Sequence, residues 1–222
     1  MATHTAGLHS RGESLRTWCG VLFALFAFLF IRLIFGGFSA HRSIAQAVAR
    51  EGAIWAAAAA LVLFILRVEK LPLTSVGIGG SPWRKPLLWG SVLSGICGAA
   101  AVAIIAATKY HGGPGSAAIE RFPLWLVTLI VIRAGFVEEL FYRGYAIERL
   151  QTLGMPRLIS AGIPLAIFSL MHLSGGQVGV LLAFALGGIL TAFYLWRRDL
   201  VANILAHFLV DFIGNVVPRL AK

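Results

Sequence analysis

Apolar residues run along this chain in long blocks separated by short polar punctuation, and the blocks have the length of a bilayer rather than of a strand. A membrane-spanning helix needs about 20 predominantly apolar residues, and seven blocks approach that, at about 18–35, 50–66, 86–107, 122–142, 157–173, 177–196 and 200–217. The punctuation is made of turn formers. Leu71 to Lys85 is a Gly/Pro/Ser loop ending in a basic cluster, Tyr110 to Ser116 is rich in glycine, and Gly154-Met155-Pro156 separates the fourth block from the fifth. The first block is too long for a signal peptide, contains Arg32 and lacks a small-residue cleavage site followed by a polar mature region, so it reads as a retained span. There is no internal repeat and no low-complexity tract. The pattern predicts an all-α, polytopic transmembrane bundle of about 7–8 spans. Residues 1–17 form a cytoplasmic N-terminal tail and residues 18–222 a single bundle; an extra or re-entrant piece between residues 36 and 50 would change its parity.

Composition agrees with that reading. Of 222 residues, 59% are hydrophobic and only 13% charged, against about 25% charged in a soluble domain, which leaves too few polar side chains to cover a water-facing surface. Disorder is excluded by 15 Phe and 6 Trp. The chain carries 19 basic and 9 acidic residues, a net charge of +10, which in a soluble protein would raise the question of nucleic acid. Here the basic residues lie mostly in short loops, where they set orientation and meet anionic headgroups, and no nucleic-acid partner is expected. With the N-terminus in the cytoplasm, the inner segments hold 11 Lys and Arg, Arg143 among them, and the outer ones 6, which predicts N-in, C-out in a bacterial inner (plasma) membrane. Cys19 and Cys97 stand alone in apolar stretches and read as small buried hydrophobes.

An ionisable group at the centre of a membrane helix costs about 2.5–3.5 kcal/mol, so each one there needs a reason. Glu13, Glu51, Glu69, Glu120, Glu148 and Asp199 fall at loops or block ends. Glu138, Glu139 and Asp211 do not. Adjacent helical positions point about 100° apart, so the tandem glutamates cannot share a role: Glu139 stacks on Arg143 four residues on, and Glu138 projects elsewhere. Phe168 and His172 end one span, and His207 and Asp211 lie four apart on one face of the last. Counted from the Gly154 turn at about 1.5 Å per residue, Glu138 and His172 stand near the same depth. His207, only eight residues beyond the Arg197-Arg198-Asp199 turn, would stand lower unless that turn is recessed or the helices tilt.

Three motifs in order, Glu138-Glu139-x-x-x-Arg143, Phe168-x-x-x-His172 and His207-x-x-x-Asp211, resemble those of the CPBP intramembrane proteases, also called CAAX proteases or the Abi family. The resemblance covers about residues 120–217, where a CPBP-like catalytic core is expected; the first 120 residues match only in hydropathy. The chain departs from the pattern in two ways, with seven blocks where the family core has eight helices, and with Asp211 where the CAAX proteases have asparagine. The resemblance implies a CAAX-type intramembrane endopeptidase with the first glutamate as base, acting on a membrane-associated protein or peptide. From the residues themselves, peptide hydrolysis needs an activated water, a donor at the oxyanion and a proton for the leaving amine. Glu138, His172, His207 and Asp211 are the candidate catalytic groups, supported by Glu139, Arg143 and Phe168.

The cofactor question stays open at this stage. Zn2+ could be held by His172, His207 and Glu138, but no His-Glu-x-x-His spacing or cysteine cluster accompanies them, and a metal-independent glutamate mechanism is slightly favoured. Two other functions use the same buried groups: a non-catalytic immunity or scaffold protein that binds a bacteriocin-like peptide, and a small proton-coupled transporter, which would usually also show repeats.

Overall fold

The long apolar blocks become helices because, in lipid, a backbone must satisfy its own hydrogen bonds within the segment. The computed structural model describes residues 11–35 and 43–220 and contains no strand among them. The helices are α1 (Arg11–Ile34), α2 (Ile44–Leu63), α3 (Arg84–Thr108), α4 (Pro114–Glu120), α5 (Leu124–Arg133), α6 (Glu148–Thr152), α7 (Arg157–Leu170), α8 (Gly176–Arg197), α9 (Leu200–Asn215) and α10 (Val217–Leu220). A π-wound stretch, Ala134–Ile147, joins α5 to α6 without a break, so that Leu124 to Thr152 is one continuous central helix.

Among the described residues, five helical segments are long and apolar enough to cross a membrane: Gly12–Ile34, Ile44–Val68, Arg84–Thr108, Leu173–Arg197 and Leu200–Leu220. The other two predicted spans are of a different kind. Helix α7 has only 14 residues, and the central helix carries Arg133, Glu138, Glu139 and Arg143 along its length. The predicted interruption between residues 36 and 50 resolves in part: Ser43 caps α2 in a reciprocal capping box with Gln46, and 44–50 are the first turns of that helix. Residues 36–42 lie outside the described residues, as does the first part of the predicted N-terminal tail, whose residues 11–17 already belong to α1.

Successive long helices run antiparallel, and contacts at each end fix this. At one end Arg149 grips Glu69 through Nε and NH2 and reaches Ser75 Oγ, while Glu148 accepts from Tyr194 and Arg198. At the other end Arg32 donates to the carbonyl of Met171, Tyr110 to that of Gly175, and Arg219 to those of Ile119 and Phe122. The central helix is the core. Val137, Leu140, Phe141, Tyr145 and Ala146 are sealed from solvent, packed by α1, α2, α7 and α9, while large apolar side chains such as Leu88, Val102, Leu158 and Phe184 face outward, as a lipid-facing surface requires.

The loop between α2 and α3 does not stay at the surface. Its short 3-10 turn, Leu73–Val76, tucks against the central helix, and the carbonyl of Gly77 accepts the N–H of Leu200, the first residue of α9. Gly77 has φ 81°, and a Cβ there would lie 2.8 Å from the carbonyl oxygen of Arg198, so both its backbone conformation and the space require glycine. The α8–α9 turn therefore sits level with Glu148 rather than with Gly154. That recess accounts for the depth of His207. Glu139 is nine residues before Glu148 and His207 nine beyond Arg198, and the two side chains meet.

Candidate active site

The π winding sets the site. With backbone bonds drawn five residues apart rather than four, residues at i and i+5 come into line, and Arg133 stands against Glu138: NH1 donates to Oε1 at 2.5 Å. The tandem glutamates then face different surroundings. Glu138 is partly open, with its side chain 13% exposed, and lies within electrostatic reach of Arg133, His207 and His172. Glu139 is fully buried, and each of its oxygens is engaged.

Glu139 Oε1 accepts from NH1 of Arg143 at 2.9 Å and from Nδ1 of His207 at 2.8 Å, while Oε2 accepts from the amide of Asn203 at 3.2 Å. Charge-assisted contacts of this kind fix an imidazole in orientation and tautomer, since a carboxylate can only accept and Nδ1 must carry the proton. Nε2 of His207 then points toward Asp211 Oδ2 at 3.6 Å, beyond hydrogen-bond length. His172 is held differently. Its Nδ1 lies 2.8 Å from the carbonyl of Phe168, which again places the proton on Nδ1 and leaves Nε2 of the neutral ring with its lone pair free to accept.

Phe168 is the hub that brings the two imidazoles together. Its ring lies 4.7 Å from that of His172 and 6.2 Å from that of His207, and the guanidinium of Arg143 sits over it at 4.2 Å. Arg143 reaches that place because Gly187 on α8 has no side chain: a Cβ there would stand 2.7 Å from NH2. NH2 donates to the Gly187 carbonyl at 3.3 Å and Nε to Thr191 Oγ1 at 3.4 Å. Gly187 thus makes room for an arginine.

The structure brings Glu138, His172, His207 and Asp211 into one electrostatic neighbourhood, with Glu139, Arg143 and Phe168 beneath them. Three polar residues were missed by the sequence reading. Arg133, five residues before Glu138, bridges that glutamate and Glu51. Glu51, assigned to a block end, lies inside α2, fully buried, with Oε2 accepting from Arg133 Nε at 2.8 Å; the block was started at residue 50, six residues after the helix begins. Asn203 was not singled out, although Asn203, His207 and Asp211 repeat at intervals of four along one face of α9, a signal that would have found it. Two further corrections concern single residues: Cys19 is exposed, unlike Cys97, and Arg143, counted among the inner loop charges, is buried in the core.

Among the described residues no group of three or more His, Cys, Asp and Glu side chains is placed to hold a metal ion. His172, His207 and Glu138 do not gather as a ligand set: the carboxylate of Glu138 is engaged by Arg133. The residues present fit chemistry in which a carboxylate handles the proton of a water while imidazole and guanidinium groups around it stabilise charge.

Residues 120–213 match the family model described as Type II CAAX prenyl endopeptidase Rce1-like. No curated protein and no solved structure matches the chain.

Proposed function

From this Rce1-like endopeptidase domain, consistent with a CPBP-family intramembrane protease, we propose that the chain is a glutamate-dependent intramembrane endopeptidase that hydrolyses a peptide bond in a membrane-associated protein or peptide. The observation that carries the reading is the division of labour between the tandem glutamates. Glu139 is buried and saturated by Arg143, His207 and Asn203, which makes it an orienting group. Glu138, partly open and next to both imidazoles, is the carboxylate left to do chemistry.

In the proposed cycle a water sits between Glu138 and the free Nε2 of His172. Glu138 takes its proton as the oxygen attacks the scissile carbonyl, then returns that proton to the departing amine. Nε2 of His207, when it carries a proton, donates to the developing oxyanion, with Asp211 and Glu139 holding the ring from either side. Phe168 fixes both imidazoles against one ring face and edge, so that neither can turn away without losing its packing. The substrate arrives within the bilayer; the protein resides in a bacterial inner membrane with its N-terminus inside, as the excess of basic residues at that end favours.

Glu138→Gln tests this directly. General acid–base catalysis contributes about 10²- to 10⁴-fold, so cleavage of a membrane-anchored reporter peptide by the protein in nanodiscs should fall by at least that lower figure while expression and melting temperature hold. Retained protection against a toxin by the same variant would favour a binding role, and loss of proton-linked flux a transporter.

A further inference from the structure

We propose that Arg133 and Glu51 act as a positioning pair for Glu138, so that α2, which lies outside the matched residues 120–213, contributes to catalysis. The inference rests on the reading of Glu138 as the base.

Four side chains form a line across two helices. Arg50 NH2 donates to Glu51 Oε1 at 2.9 Å, Arg133 Nε donates to Glu51 Oε2 at 2.8 Å, and Arg133 NH1 donates to Glu138 Oε1 at 2.5 Å. The line carries two positive and two negative charges and so balances. Its middle is buried: Glu51 is fully covered and Arg133 is 6% exposed, with its guanidinium 5.8 Å from the Phe28 ring of α1. Trp55, one turn along α2 from Glu51, stacks on Phe136 at 5.8 Å, so α2 holds the π-wound segment at two points.

A strut between α2 and the central helix would need only the Arg133–Glu51 contact, or an apolar one, since replacing a buried ion pair by well-packed apolar groups is often neutral or stabilising. What that role does not require is the division of one guanidinium between a sealed carboxylate and a partly open one. The planar fork of arginine allows this division, because Nε and NH1 lie in one rigid plane but point to different sides of it, so fixing Nε on Glu51 fixes where NH1 points. Glu51 thereby sets the position of Oε1 of Glu138, and with it the direction in which the carboxylate faces His172 and His207. A lysine would keep the charge but could not transmit that geometry.

The test is steady-state cleavage of the membrane-anchored reporter by the full chain in nanodiscs, with melting temperature followed for each variant. Misplacing a reacting group by about 1 Å can cost about 10²-fold. Glu51→Gln and Arg133→Lys should therefore lower kcat by about that factor with KM within about twofold, and Glu51→Asp should recover part of the loss. Glu51→Gln combined with Arg133→Gln should be no worse than Arg133→Gln alone, because the two act through one contact. Where Arg133→Gln fails to fold, Arg133→Lys and Glu51→Asp carry the measurement. If kcat is unchanged while melting falls, or the loss lies in KM alone, the pair is a strut and the inference is overturned. If Glu138→Gln is inactive but both arms of the pair are dispensable, only this inference falls; if Glu138→Gln cleaves normally, the reading of the base falls with it.

Discussion

At the scale of single residues, the site depends on where a side chain is missing as much as on where one is present. Gly187 and Gly188 are neighbours of identical composition and opposite consequence. A methyl group at Gly187 would meet Arg143 NH2 at 2.7 Å and Phe168 Cε1 and Leu165 Cδ1 at 3.0 Å, whereas at Gly188 the nearest atom is an ordinary 3.9 Å away. Arg143 has no slack to absorb the clash, because the same guanidinium is bound to Glu139, Thr191 and the Gly187 carbonyl and rests on Phe168. Overpacking of this kind costs about 1–3 kcal/mol, so Gly187→Ala should lower the unfolding midpoint and impair cleavage. Gly188→Ala should leave both near wild type, and equal behaviour of the two variants in denaturant titration would refute the account. The two glycines are visible in the sequence, but that Gly187 admits an arginine depends on α7, α8 and the central helix meeting. Glu139 with Arg143 and His207 with Asp211 were readable because spacing of four on a helix survives into the fold. Arg133 with Glu138 was not, because a spacing of five is out of line until the backbone winds as a π-helix.

At the scale of elements, the same distinction separates what hydropathy reveals from what it hides. The boundaries of α3, α8 and α9 fall within two residues of the predicted blocks, since in lipid the length of an apolar run is nearly the length of the helix. The height at which the helices dock is a tertiary fact. The depth of His207 follows from the recessed α8–α9 turn, held by the bond from Leu200 N–H to the Gly77 carbonyl, in a loop whose sequence says only that it turns. Gly77→Ala would combine a left-handed backbone angle of 81° with a Cβ 2.8 Å from a backbone oxygen, which cannot swing aside as a side chain can. Gly80→Ala incurs the angle alone, φ 90° with open space around it. The backbone term is about 1–2 kcal/mol for an L-residue. Gly80→Ala should show about that loss, and Gly77→Ala more, together with reduced cleavage as α9 and His207 shift relative to Glu139. A Gly80→Ala variant as damaged as Gly77→Ala would mean that the loop's conformation, not its docking under α9, is what matters.

At the scale of the whole molecule, the bundle has two unlike ends, and the site belongs to one of them. Around the α2–α3 loop and the α6–α7 and α8–α9 turns stand Arg67, Lys70, Arg84, Lys85, Arg157 and Arg197, all exposed. Between that end and the site lie sealed layers, first Glu139, Arg143 and Asn203, then Tyr145, Tyr194 and Leu200, none more than 1% exposed. On the other side the site is open: His172 is part-exposed at the α7–α8 turn and the Asp211 side chain is 32% exposed. Under the proposed function, water and peptide reach Glu138 from the end opposite the basic cluster. If the basic end is cytoplasmic, as the orientation rule for short loops favours, the scissile bond is presented from the outer leaflet, and the substrates are segments exposed on that side. Lys85→Cys and Lys109→Cys, each in a Cys19→Ser background that removes the other exposed thiol, place a label at the two ends. A membrane-impermeant maleimide added to intact cells should modify position 109 and spare position 85 until the membrane is permeabilised. The opposite pattern would turn the molecule over, leaving the chemistry of the site in place but moving its substrates to the cytoplasmic face.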